Sequence, residues 1–182
     1  MAQNNQNNRI SVIIVDDHEV VRNGIRSYIE TVKEFQVVGE AASGEAALKL
    51  VSDYIPDIVL LDLIMPGMDG VETTRRIKQI SPRTQVVVLT SYHEDAHIFP
   101  ALKAGAISYI LKDMKMEKLV EALHRAAQKE VTLHPLVAAR VLQNIRSEDG
   151  EEQPLFTELT ERELDVLRLI ANGMTNSQIA EK

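Results

Sequence analysis

The chain has 182 residues, 45% of them hydrophobic and 26% charged, with a net charge of −7 and no cysteine. That is the composition of an ordinary globular protein, and the missing cysteine excludes disulfides and thiolate metal sites and fits a reducing compartment. The acidic balance excludes a broad basic surface, so any DNA contact must be local or lie in sequence absent here.

Residues 1–8 are polar, lack the apolar core of a leader peptide and read as a disordered tail. No apolar run approaches the ~20 residues of a membrane span, which fits a cytoplasmic protein. The first structured element is the β-branched run "ISVIIV" at 10–15, followed by a helix with Val21, Ile25, Tyr28 and Ile29 on one face. The runs "FQVVGEA" (35–41), "DIVLL" (57–61), "QVVVLT" (85–90) and "ISYILK" (107–112) follow, and helical periodicity fills 44–54, 70–80, 95–105 and 115–128. Pro100 removes a backbone donor inside the fourth helical segment, so that helix should start late, near Phe99, or kink. Strands apolar throughout, alternating with helices, predict a parallel sheet covered on both faces. Residues 9–130 therefore form a doubly wound α/β domain, five-stranded and flavodoxin-like, with strand order 2-1-3-4-5.

Residues 131–155 read as a linker, with a helix near 135–146 opened by Pro135 and an acidic stretch, "SEDGEEQP", after it. From Phe156 an all-α module begins. Thr160 and Glu163 form a capping box, and Gly173 closes that helix. Thr175 with Gln178 opens another helix, in which the chain stops at Lys182.

Ligands of an open α/β sheet bind beyond the carboxyl ends of the strands, where the strand order reverses. Strand 1 ends in Asp16 and Asp17 and strand 3 in Asp62, so three carboxylates converge on one crevice. Like charges so close raise one another's proton affinity unless a cation joins them, and few, all-oxygen ligands suit Mg²⁺. Strand 4 contributes the hydroxyl of Thr90 and strand 5 the ammonium of Lys112. The set suits phosphoryl transfer to a carboxylate, with Asp62 as nucleophile. Taken singly, each residue has a plainer reading: Asp16 or Asp17 as the N-cap of the helix from Glu19, Asp62 as a turn residue, Lys112 as a solvated cation. His18, His93, His97, His124 and His134 lack metal-ligand spacing and read as surface residues, and Tyr109 reads as a packed aromatic on an edge strand.

At these residues the chain resembles a bacterial two-component response regulator. "VDDHEVVR", "DLIMPGMDG", "VVLTS" and "AGAISYILKD" look like the motifs of a receiver domain, over about residues 9–128. The resemblance implies that Asp62 accepts a phosphoryl group from a sensor histidine kinase. It implies that Mg²⁺ is held by Asp17 directly, by Asp16 largely through water, by Asp62 and by the backbone carbonyl of Ile64. It makes Thr90 and Tyr109 a switch pair, Lys112 the phosphate-sensing lysine, and a homodimer the phosphorylated form. Ser108 departs from the glycine that many receivers carry before the switch aromatic.

"LTERELDVLRLIANGMTNSQIAEK" resembles the first half of a LuxR-type helix-turn-helix, as in the NarL/FixJ family of transcription regulators that bind promoter DNA. Within the family, "DAHIFPALKAGAISYILKD" is similar to regulators of cell-envelope stress of the LiaR/VraR kind. The helix that enters the major groove would follow Lys182, so the DNA-binding residues are largely absent from this chain. Residues 156–182 carry three cations against five anions, the wrong sign for phosphate contacts. Two other functions compete. A receiver acting alone is an interaction switch without DNA. An Mg²⁺ phosphohydrolase with an aspartyl nucleophile, of the haloacid dehalogenase type, needs a second acid two residues after the nucleophile, where this chain has Ile64. The family reading makes the protein a signalling switch that catalyses only its own phosphorylation and dephosphorylation.

Overall fold

A computed structural model describes residues 9–91, 95–146, 160–174 and 178–179. The tail, the acidic stretch after residue 146, His93, Phe156, Thr175 and Lys182 lie outside the described residues. Among the described residues thirteen elements follow one another: β1 (Ile10–Val15), α1 (Glu19–Ile29), β2 (Phe35–Ala41), α2 (Gly44–Tyr54), β3 (Ile58–Leu61), α3 (Gly70–Ile80), β4 (Gln85–Thr90), α4 (Asp95–Lys103), β5 (Ala106–Leu111), α5 (Met116–Ala127), β6 (Thr132–Leu133), α6 (Pro135–Arg146) and α7 (Glu161–Ala171).

The strands form one parallel sheet in the order β2-β1-β3-β4-β5-β6. It has six strands where five were expected, and β5 is not the edge. The sixth is the two-residue β6, inside the stretch read as linker, which pairs Ser108 with Thr132 and Tyr109 with Leu133. The Ser108 hydroxyl accepts from the Thr132 amide at 3.2 Å, and the Tyr109 carbonyl from the His134 amide at 3.0 Å. A glycine at 108 would lack the first of these bonds. The short strand also leaves little unpaired edge.

Alternation along the strands sorts the core onto two faces. Val12 and Ile14 of β1, with Ile58 and Leu60 of β3, pack beneath α1 and α5. Ile13 and Val15, with Val59 and Leu61, pack beneath α2 and α3. A third cluster joins Val88, Tyr109 and Leu111 to Ile98 of α4, Val137 and Val141 of α6 and Ile170 of α7. The module from Thr160 is thus anchored on the sheet domain. Leu167 and Ala171 pack beside Ile170.

Helix ends follow their caps. The Ser43 hydroxyl accepts from the Ala46 amide, the Asp69 carboxylate accepts from the Glu72 amide, and Thr160 and Glu163 form the expected box. Gly173, at φ +77°, follows α7 in the left-handed conformation that glycine tolerates. α4 starts at Asp95, earlier than expected, and carries Pro100 in its interior.

Register positions the site. The Asp57 carboxylate accepts from the Ser11 amide at 2.8 Å and from its hydroxyl at 2.6 Å, tying β1 to the start of β3. At the other end Val15 stands opposite Leu61. The next residue of each strand, Asp16 and Asp62, therefore emerges side by side. Gly70 opens α3 directly beneath: an added Cβ would lie 2.5 Å from both the Asp62 carbonyl oxygen and Leu63 Cα. Gly24, exposed in α1, has nothing within 4 Å of its missing Cβ. Urea denaturation should separate the two: Gly70→Ala loses about 1–3 kcal/mol through forced displacement of backbone, whereas Gly24→Ala gains about 0.5–1 kcal/mol from helix propensity. Equal effects at the two sites would contradict this packing.

Candidate functional site

The crevice beyond β1 and β3 brings together the carboxylates expected there. Oxygens of Asp16, Asp17 and Asp62 and a ring nitrogen of His18 all lie within 4.8 Å of one another. Asp16 and Asp62 are buried, and Asp17 is partly open. The strand ends are locked by backbone bonds: the Asp16 amide to the Ala41 carbonyl at 3.1 Å, the Asp62 amide to the Val15 carbonyl at 2.9 Å, and the Lys112 amide to the Thr90 carbonyl at 2.9 Å.

Lys112 reaches in from the end of β5. Its Nζ lies 2.6 Å from Asp16 Oδ2 and 2.6 Å from Asp62 Oδ2, bridging the two buried carboxylates. Burial alone would lower the proton affinity of this ammonium. Hydrogen bonds to Asp16 and Asp62, helped by their charges, outweigh it and leave the pKa raised. Asp62 Oδ1 accepts only a long bond, 3.4 Å, from the Ile64 amide.

Asp17 differs from its neighbours. Its Oδ1 is buried and lies 2.8 Å from His18 Nδ1, yet it has no partner in hydrogen-bonding geometry. A buried acceptor without a donor is costly unless something else occupies its lone pairs.

Neither aspartate is the N-cap of α1. His18 holds that position without a side-chain cap, and its amide donates to Asp16 Oδ1 at 2.9 Å. His18 was read as a surface residue. It is exposed at 67%, but its ring touches the acidic pair, Nδ1 lying 3.2 Å from Asp16 Oδ1. Arg22, absent from the sequence-based site, donates through Nη1 to the Asp16 carbonyl at 2.7 Å. Its position six residues after Asp16, closing "VDDHEVVR", is the one signal that could have suggested this role.

Thr90 is fully buried at the end of β4, opposite Leu111, and Tyr109 is fully buried on the neighbouring β5, opposite Val88. Burial, and then the charge of Asp62, push the Tyr109 phenol far above its ordinary value, so it stays neutral. Tyr109 therefore lies in the core, in the cluster that reaches α6 and α7. Among the described residues no helix is long and apolar enough to cross a membrane.

The geometry agrees with the relatives of this chain. Residues 12–124 match the response regulator receiver domain, and residues 157–182 match the bacterial regulatory proteins of the luxR family. The transcriptional regulatory protein LiaR of Bacillus subtilis is 39% identical over 173 residues, 95% of this chain and 82% of that protein. The response regulator protein VraR of Staphylococcus aureus is 42% identical over 171 residues, 94% of this chain and 80% of that one. The solved structure of two RcsB dimers bound to two parallel DNAs superposes with a TM-score of 0.68 at 29% identity, covering 96% of this chain and 82% of that one. The chain belongs to the response regulators of two-component systems, of the NarL/FixJ type, with a receiver domain followed by luxR-type DNA-binding sequence.

Proposed function

We propose that Asp62 accepts a phosphoryl group from the phosphohistidine of a sensor kinase in an Mg²⁺-dependent reaction, and that this switches self-association and promoter binding. The observation that carries the reading is Lys112 Nζ at 2.6 Å from both Asp16 and Asp62, in a crevice where Asp17 Oδ1 accepts no hydrogen bond. Clustered oxygen donors and the orphaned Asp17 oxygen fit Mg²⁺, which Asp17, Asp16, Asp62 and the Ile64 carbonyl would hold. When bound, such an ion would supply positive charge that offsets the charge developing on the phosphoryl oxygens.

The chain's own groups supply the rest. A carboxylate oxygen of Asp62 attacks phosphorus, a P–O bond forms, the P–N bond to the kinase histidine breaks, and the imidazole leaves. Lys112, already protonated, passes from the carboxylates to a phosphoryl oxygen without releasing a proton. A hydrolase that turns over external substrates needs an acid two residues beyond Asp62. Ile64 stands there, apolar and 38% exposed, and cannot move a proton. The protein on this reading acts on itself alone. Its partners are a kinase, a second copy of itself and, through the complete C-terminal domain, promoter DNA; the RcsB dimers seated on DNA support the last two.

Incubation with Mg²⁺ and acetyl phosphate should add one phosphoryl group at Asp62, read by intact-mass and peptide mass spectrometry. Asp62→Asn should remain unmodified. Modification that persists in the variant, or forms equally in chelator, would sink the assignment.

Thr90 and Tyr109 carry the response on this reading. A phosphoryl oxygen recruits the Thr90 hydroxyl, its loop moves inward, and Tyr109 repacks into the space released. A ligand shifts such an equilibrium only by its differential affinity for the two states, so some dimer should precede phosphorylation. Light scattering with beryllofluoride should show wild type moving further towards dimer and Thr90→Ala responding severalfold less. An unchanged response in the variant would remove Thr90 from the coupling.

A further inference from the structure

We infer that Arg22 is a positioning residue that sets the metal affinity of the Asp16–Asp17 pair; this rests on the metal-binding part of the function proposed above. Asp16 leaves the sheet at the end of β1, so its carbonyl has no strand partner beyond that point. Arg22 Nη1 takes it, from one turn inside α1, at 2.7 Å. The peptide joining Asp16 to Asp17 is thereby held on its oxygen by Arg22, while the Asp16 amide is held by the Ala41 carbonyl at 3.1 Å. Asp17 Oδ1 accepts no hydrogen bond and touches only the exposed ring of its neighbour His18, at 2.8 Å, so the orientation of the peptide before it bears directly on where that carboxylate points.

The guanidinium is built into this place. The Arg22 side chain is 15% exposed, and its buried Nε has no hydrogen bond, lying 3.8 Å from Glu40 Oε2 on β2. Glu40 gives its other oxygen to Arg26 Nη1 at 2.5 Å. With Glu40 beside it, Arg22 is a partly neutralised cation, and its effect on the site runs through the hydrogen bond more than through its field. A donor that orients a ligand-bearing peptide acts as outer-shell groups do in metal sites, where removal typically weakens metal binding by about 10–100-fold.

The test is direct Mn²⁺ binding to the full chain, by electron paramagnetic resonance of free ion, alongside thermal melting. Arg22→Met should weaken Mn²⁺ binding about tenfold. Arg22→Lys, which restores a cationic donor of similar reach, should recover most of the loss. Arg26→Met, which shares Glu40 but does not touch Asp16, should bind as wild type. Wild-type affinity in Arg22→Met overturns the inference. So does a loss that Arg22→Lys fails to recover while both variants melt early, since that marks a structural role. An equal loss in Arg26→Met would make it a matter of general charge and equally overturn it. If wild type binds no Mn²⁺, the inference and the metal-dependent reading fall together. If binding follows the expected order but acetyl phosphate leaves Asp62 unmodified, the phosphoryl reading falls alone.

Discussion

Three carboxylates crowded at the ends of two adjacent strands are the constraint around which this molecule is arranged. Two unit charges about 4 Å apart repel by about 4 kcal/mol at the effective dielectric of a protein surface. Here the register that sets Val15 opposite Leu61 brings Asp16 and Asp62 together whatever their charge. Lys112 answers the buried pair with one ammonium, 2.6 Å from each. Asp17 lies outside that bridge: its Oδ1 accepts no hydrogen bond and has the exposed His18 ring nitrogen 2.8 Å away.

Much of this was legible in the sequence because strand ends are legible. A β-branched run that stops at an aspartate or lysine marks a residue leaving the core, and Asp16, Asp17, Asp62 and Lys112 all stand at such points. Parallel topology then placed β1 beside β3. The parts that escaped depend on contacts between elements. β6 is two residues, too short for any periodicity, and exists because the Ser108 hydroxyl and the Tyr109 carbonyl bind the amides of Thr132 and His134. Arg22 and His18 reach the site only because α1 starts immediately after the acidic pair and folds back over it. A cap was expected of Asp16 or Asp17, but the Asp16 carboxylate is committed to His18 and Lys112.

Behind the site the packing is continuous. Tyr109 shares a cluster with Leu133, Val137 and Ile170, so the layer beneath Thr90 is also the layer on which α7 rests. Ser108 tightens this arrangement, since its hydroxyl binds β6 to the strand that carries Tyr109. Contiguous packing is what coupling requires; a two-state element biased from both ends is what coupling is.

On the function proposed above, Asp17 Oδ1, which accepts no hydrogen bond, is one of the oxygens that a bound cation takes up. Thermal melting of wild type and Asp17→Asn, in chelator and in Mg²⁺, tests it without any phosphodonor. Because the Asp17 Oδ1 oxygen has no hydrogen bond to lose, Asp17→Asn in chelator should melt above wild type. Added Mg²⁺ should raise the melting temperature of wild type and leave that of the variant unchanged. A variant that melts below wild type in chelator and still gains stability from Mg²⁺ would contradict the account.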